Sequence, residues 1–600
     1  MVDTTACTQI QTVLSELNSA LVSRDTSRAL DLFAQECYWR DLVAFTWNIT
    51  TLEGKAEIRS MLDVRLEDVR PQNWVIDDEI FAQRSGEVTE GFLRFSTAVA
   101  HGYGYIRLKG GQIWTILTTM EDLKGYEDPV GRRRPTGANH NDRMAAPTWS
   151  EDRHREQSEL GYTTQPYVLI VGGGHSGISL ATRLRQYNVP TLIIDKNGRP
   201  GDNWRNRYRT LSLHNPIWEN HMPYLNLPDN WPVFLHKDKF ADWLEAYTKI
   251  MELNYWGATE LHQADYDEHS KTWTVQVDRS NERITLRPAQ LVLATGLASV
   301  PNVPDIPGQD TFAGFQQHSS QYTGNEDMEN KRVVVIGSGT SAHDICADLA
   351  VQNQDVTMVQ RSSTYIVRSE TFLKHVLHPL YSEEAAENGI TPDRAGVLSA
   401  SVPYAEFFGF QKQAVDASRQ ADAEFYQALE KSGFLLDYGP GGSGLFGKAI
   451  TGAYNYYIDE GASQLIIDGR IGLEAGLGVK ELAENSVVLE DGRHIPADVV
   501  IYATGFCPMS DLIADTISPD VADKVGKIWG LGSGASKDPG PWEGELRNLW
   551  KPTQQEGLWL QGSLIAHASY YSRFLALQLK ARMEGIPTPV YGLQEVHNVK

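Results

Sequence analysis

The sequence predicts an α/β fold, with two Rossmann-like units preceded by an α+β domain. Three observations carry this. Residues 168–184 read VLIVGGGHSGISLATRL and residues 333–349 read VVVIGSGTSAHDICADL; each is a β-branched run, a glycine-rich turn and a helix-forming stretch. Two apolar runs, LVLATG at 291–296 and VVIYATGF at 499–506, end in Ala-Thr-Gly and return the chain after each turn. Ahead of both, the chain passes from an amphipathic helix to alternating strands, the pattern of a separate α+β unit.

Composition narrows the class. At 600 residues the chain is too long for one core, so two to four domains are expected. A net charge of -23 disfavours nucleic acid or an anionic membrane as main partner. Cys7, Cys37, Cys346 and Cys507 show neither CxxC nor metal-ligand spacing, so no disulfide framework and no metal site are expected. The start, MVDTTACTQIQTVLSEL, lacks the basic and apolar regions of a signal peptide, and no apolar run reaches the roughly 20 residues of a membrane span. The expected location is cytoplasmic.

Residues 1–125 form the first unit, with IQTVLSELNSALVSRDTSRALDLF as helix and GEVTEGFLRFSTAVAHGYGYIRLKGGQIWTILTTMEDL as an antiparallel meander. Residues 126–164, polar and rich in Pro and Gly, read as a linker. Residues 165–325 hold the first turn. Gly172, Gly174 and Gly177, with His175 and Ser176 opening the helix, let backbone approach a pyrophosphate at a helix N-terminus. The next strand ends at Asp195 and Lys196, about 20 residues on, where an acid accepts both ribose hydroxyls; this suits FAD. Residues 326–480 hold the second turn, Gly337, Ser338, Gly339, Thr340 and Ser341. Its following strand ends at Arg361 and Ser362 without a carboxylate, and a guanidinium that can fork onto a 2′-phosphate suits NADPH. Within it, the insertion 369–465 reads as one long helix, YAEFFGFQKQAVDASRQADAEFYQALEKSGF, and a mobile glycine-rich loop, YGPGGSGLFGKAITGAYNYY, a candidate lid. Residues 481–600 complete the FAD domain.

The motifs also match a family. Residues 312–322, FAGFQQHSSQY, resemble the FxGxxxHxxxY/F fingerprint of class B flavoprotein monooxygenases. With GGGHSG, GSGTSA and the two ATG runs, the resemblance covers residues 165–580 and is nearest to the flavin-containing and YUCCA-like monooxygenases. It implies that NADPH reduces FAD and that a C4a-(hydro)peroxyflavin then inserts one oxygen atom of O₂ into a small organic substrate. N- or S-oxygenation and YUCCA-like oxidative decarboxylation are the implied reactions. Baeyer–Villiger oxygenation of ketones stays open, although Tyr322 stands where that branch usually has tryptophan. An NADPH oxidase-type flavoprotein without oxygenation and a scaffold with a vestigial flavin site stay open as well.

The resemblance also implies site residues. Gly201, Asp202, Trp204, Arg205, Thr295, Thr504 and Gly505 are candidate cofactor contacts. His318 lies at the hinge, and His214 or Asn215 stands near the flavin–nicotinamide region; these three are the candidate catalytic residues. His567, Tyr570 and Tyr571 read as core. The N-terminal unit resembles an NTF2/SnoaL-like cone, in which Trp39, Asp41 and His101 are candidate pocket residues, unless the unit serves for docking or for pairing two chains as a homodimer.

Overall fold

The computed structural model describes residues 3–77, 82–137, 147–297, 300–324, 328–452, 454–534 and 538–597. Helix Thr4–Val22 starts the N-terminal unit, its first turn capped by Asp3, and buries Ile10, Leu14, Leu17 and Leu21 along one face. Beside it a sheet runs in the order Ile49–Glu53, Phe33–Leu42, Gln112–Leu123, Ala100–Lys109, Val88–Ser96, Gln72–Ile76, with Ala82–Ser85 also on Val88–Ser96. Val88–Ser96, Ala100–Lys109 and Gln112–Leu123 are the expected meander.

The expected pocket residues of this unit are otherwise employed. Trp39 is packed among Phe33, Phe45 and Trp74, and its Nε1 donates to Thr118. Asp41 is fully buried and accepts from the Phe45 and Thr46 amides and the Thr46 and Thr118 hydroxyls. With its lone pairs filled it has nothing to offer a ligand. His101 lies at the surface beside Glu127, 3.6 Å away.

The linker contains an unforeseen helix, Trp149–Glu159, opened by a capping box of Thr148 and Glu151. Pairs such as Arg155–Asp152, and Glu156 reaching Arg185 and Asn254, hold it in place of an apolar stripe, so hydrophobic periodicity could not reveal it.

Two parallel five-stranded sheets follow. The first runs Tyr255–Trp256, Thr191–Ile194, Val168–Val171, Gln290–Leu293, Leu558–Leu560. The second runs Phe315–His318, Val499–Tyr502, Arg332–Ile336, Asp355–Gln360, Gly472–Ala475. This shifts both expected boundaries. Phe315–His318 and Val499–Tyr502 belong to the second sheet, and only the later Leu558–Leu560 returns to the first.

The insertion also differs from expectation. Its long helix is two, Tyr404–Ala421 and Ala423–Lys431, broken at Asp422, whose buried carboxylate accepts from Thr371 at 2.5 Å. The supposed lid loop contains helix Gly444–Ile450, packed with Leu445 and Ile450 buried and Lys448 paired to Asp437 at 2.5 Å. Among the described residues no helix is long and apolar enough to cross a membrane.

The N-terminal unit docks on the C-terminal segment through polar contacts. Asn48 donates to the Tyr591 and Gly592 carbonyls, Lys551 to the Ile49 carbonyl, and the Trp542 indole to Glu53. At the centre Arg40 forks onto Glu545 at 2.7 and 2.8 Å, both side chains buried.

Candidate active site

Both glycine turns are built against an Ala-Thr-Gly run. Gly172 has φ +108°, and a Cβ there would lie 2.4 Å from the Ala294 carbonyl oxygen; Gly337, at φ +127°, would meet the Ala503 oxygen at 2.2 Å. The ATG runs are thus what demand the first glycine of each turn. Gly177 lets its helix press on the Gly172 carbonyl, a place that Ala342 takes in the second unit. The middle glycines are less crowded: a Cβ on Gly174 would lie 3.3 Å from the Asn203 side chain, and one on Gly339 3.7 Å from the Tyr454 carbonyl.

Asp195 closes the first turn from beneath, accepting from the Gly173 amide at 2.6 Å and the Asn197 amide at 2.8 Å, while Lys196 is exposed. Around this turn His175 Nδ1, Trp204 Nε1 and Thr295 Oγ1 are buried without a partner. Buried polar atoms are normally satisfied, so a group of three marks where a polar ligand such as FAD fits. Ser176 is buried in the same helix start, and His175 uses its Nε2 on the Ser563 carbonyl at 3.1 Å. Gly201 turns at φ +87° against the Ala241 carbonyl. Asp202 and Arg205 pair with each other, and Arg205 also with Asp242 and Glu245, so their charges are engaged within the protein.

At the second turn the Ser338 hydroxyl meets Thr364 at 2.8 Å and Thr340 donates to the Tyr456 carbonyl at 2.9 Å, with Ser341 half-buried beside them. Arg361 and Ser362 are exposed at the end of Asp355–Gln360. The arginine has no ion-pair partner among the described residues, which leaves the guanidinium available to a phosphate.

The fingerprint lies beside the crossing between the units, where it fixes the end of its own strand against the next strand of the second sheet. His318 Nε2 meets the Gly505 carbonyl at 2.9 Å, and its Nδ1 meets the Ser320 hydroxyl and amide at 2.9 and 3.1 Å. Both ring nitrogens are therefore committed, and burial lowers its pKa. Thr504 donates to the Asn302 carbonyl across the same crossing, where Val300–Pro301 pairs with Phe506–Cys507. Tyr322 donates to Asp348, which Arg209 also reaches.

His214 and Asn215 diverge. His214 Nε2 lies 3.7 Å from Asp344 of the second unit, which also receives the Tyr208 hydroxyl. Burial alone would depress its pKa, but Asp344, Glu460 and the Ile458 carbonyl outweigh this and raise it. Asn215 instead donates to Glu219 at 2.6 Å. Beyond Glu219 lies an enclosed cavity lined by His221, Tyr381, Gly396, His567, Tyr570 and Tyr571. His567, Tyr570 and Tyr571 are thus both core and cavity wall. His221 donates from Nδ1 to the Glu219 carbonyl at 3.1 Å; its Nε2 and the Tyr570 hydroxyl are buried without partners. Burial pushes both His221 and His567 down to about 4, so each is neutral at pH 7.

Glu219, His221 and Asp344 belong to no motif of the sequence. The signal for the first two was the polar pair inside the aromatic-rich run IWENHMPY; Asp344 looks like any helix carboxylate.

Burial pushes Glu219 up to about 7 from an ordinary value near 4.5. As pH rises between these values the unfolded chain releases the proton first, so stability falls across that window and levels above it. Glu219→Gln is expected to abolish this fall, gaining roughly 1–3 kcal/mol at pH 8 and converging on wild type toward pH 4. Urea unfolding at the two pH values checks it; parallel pH curves for both proteins would contradict it.

Comparison with known proteins follows this geometry. Residues 169–394, from the first turn to the insertion, match the model of the pyridine nucleotide-disulphide oxidoreductase family. Indole-3-pyruvate monooxygenase YUCCA1 of Oryza sativa subsp. japonica is 28% identical over 355 residues, 59% of this chain and 80% of that protein. Probable indole-3-pyruvate monooxygenase YUCCA10 of Arabidopsis thaliana is 27% identical over 344 residues, 56% of this chain and 81% of that protein. Both relatives are named as monooxygenases. Among solved structures, that of OTEMO in complex with FAD and NADP aligns with a TM-score of 0.49 and 17% identity over 70% of this chain and 86% of that one. All four cysteines are free, and Cys346 is buried with its thiol pKa raised by burial. No paired thiols stand ready for dithiol chemistry.

Proposed function

We propose that the chain is an NADPH- and FAD-dependent monooxygenase that places one atom of O₂ in a small organic substrate. FAD would lie on the first turn and NADPH on the second. The observation that carries this is the set of partnerless buried atoms, His175 Nδ1, Trp204 Nε1 and Thr295 Oγ1, around a glycine turn whose acid, Asp195, is already in place. FAD, when bound, supplies electron transfer and oxygen activation.

The residues of this chain would do the rest. Arg361 and Ser362 would take the 2′-phosphate, and His318 would fix the loop that follows Val499–Tyr502 through Gly505. His214 on Asp344 and Asn215 on Glu219 would act as positioning residues, each clamped to a different side of the cleft. The cavity beyond them suits an uncharged group. Its histidines are neutral and its tyrosines protonated, so its walls carry no charge and deliver no ready acid. The YUCCA relatives are named for indole-3-pyruvate. A compact, uncharged aromatic substrate oxygenated at a heteroatom is the corresponding reading here. For the N-terminal unit we favour the NTF2/SnoaL-like assignment, supported by a seven-stranded sheet packed against helices Thr4–Val22 and Gly54–Val69, and a docking role.

Reaction under ¹⁸O₂ tests the activity: one labelled atom should appear in product per NADPH consumed, whereas peroxide formation with unlabelled product would sink the oxygenase reading. Arg361→Ala should raise KM for NADPH roughly 10- to 100-fold and leave KM for NADH nearly unchanged. An equal effect on both would remove the NADPH assignment.

A further inference from the structure

Two arginines of the N-terminal unit reach out of their own domain to the same place. Arg40 Nη1 donates to the Ala400 carbonyl at 2.9 Å and Arg107 Nη1 to the Ser401 carbonyl at 2.9 Å. These carbonyls end helix Pro392–Ala400, where unpaired oxygens and the negative end of the dipole favour cations. The same helix presents Gly396 and Ser399 to the cavity and touches its far wall: a Cβ on Gly396 would lie 2.3 Å from the Tyr570 ring. Arg40 also sits over the Tyr404 ring at 5.0 Å, and its partner Glu545 fixes it from the C-terminal segment. Arg107 is braced by Glu90 at 2.9 Å.

We propose that the N-terminal unit sets the width of a binding cavity for a small uncharged aromatic molecule bearing an N–H or O–H donor, with Arg40 and Arg107 as positioning residues for its Pro392–Ala400 wall. The ligand class follows from the wall chemistry. Neutral His221, with Nδ1–H turned to the Glu219 carbonyl, leaves Nε2 as an acceptor without a partner, and the Tyr570 hydroxyl is a free donor amid aromatic rings. As it stands the cavity is about 10 Å³, room for about one water, so a ligand must part helix Pro392–Ala400 from helix Ile565–Met583. Displacing a wall by about 1 Å is enough to change binding markedly. The arginines govern where that wall rests.

The proposal rests on the cavity being the substrate site of the monooxygenase reading, and calorimetric titration with indole tests it without turnover. Wild-type holoenzyme should bind indole, Arg107→Met should weaken binding roughly tenfold, and Arg107→Lys should recover part of the loss. The dissociation constant for NADP⁺ and the melting temperature should stay at wild-type values in both. Lys109→Met, which removes a surface cation of the same strand and spares the Ser401 bond, should leave indole binding intact. No indole binding to wild type, equal binding in Arg107→Met, or an equal loss in Lys109→Met would each overturn it. Indole binding with the expected pattern but no ¹⁸O transfer would instead retain the cavity and discard the oxygenase reading.

Discussion

Arg40→Met is expected to destabilise the protein by about 3–5 kcal/mol, because it leaves Glu545 buried and charged with no guanidinium to face. The pair is 3% and 2% exposed, and the remaining donors near Glu545, the Thr51 hydroxyl at 3.2 Å and the Leu546 amide at 3.1 Å, do not replace a two-pronged cation. Lys551 is the nearest compensating charge, but burial pushes it down to about 8 and its ammonium already serves the Ile49 carbonyl. The double variant Arg40→Met/Glu545→Met removes both charges together and is expected to recover most of the loss, since a buried pair and an apolar pair of similar volume differ little. Urea unfolding of the two single variants and the double variant measures the coupling. A single-variant loss below about 1 kcal/mol would mean that the ion pair is open to water, as surface pairs are.

The second expected result separates the two nucleotide turns. Gly172→Ala and Gly337→Ala each force a side chain into positive φ and into a strand carbonyl at 2.4 and 2.2 Å, at a cost of about 3 kcal/mol or more locally. Gly172→Ala should purify colourless, because its turn and the Ala294 run must separate where FAD would bind. Gly337→Ala should keep its flavin absorbance and lose reduction by NADPH, while dithionite still reduces it. If Gly337→Ala lost flavin as well, the assignment of one cofactor to each turn would be wrong. If either variant matched wild type, the close approach of the Ala-Thr-Gly run would not be needed.

The parts of this site that are legible in sequence are the ones made by contiguous residues. Gly172 announces a turn because only glycine tolerates its backbone and Gly177 a close approach of the helix to that turn, while Asp195 and Arg361 are read as ribose and phosphate partners because each follows a strand at fixed spacing. His318 is marked by its fingerprint as a hinge residue and catalytic candidate, and its hydrogen bonds to Gly505 and Ser320 make it a tether. Asp41 has the look of a pocket acid, but four donors surround it. Helix Trp149–Glu159 and the break at Asp422 depend on ion pairs and one buried carboxylate, which leave no trace in hydrophobic period.

Local chemistry therefore determined two glycine turns, their strands and the acid or arginine that follows each, since steric and electrostatic demands on a few adjacent residues suffice for them. Only tertiary structure decided that the second Ala-Thr-Gly strand joins the second sheet, that Leu558–Leu560 closes the first, and that Arg40 and Arg107 brace a cavity wall 360 and 294 residues further along the chain. Such contacts form between groups with no fixed spacing, selected by which buried carbonyl or carboxylate is left without a partner once the domains have packed.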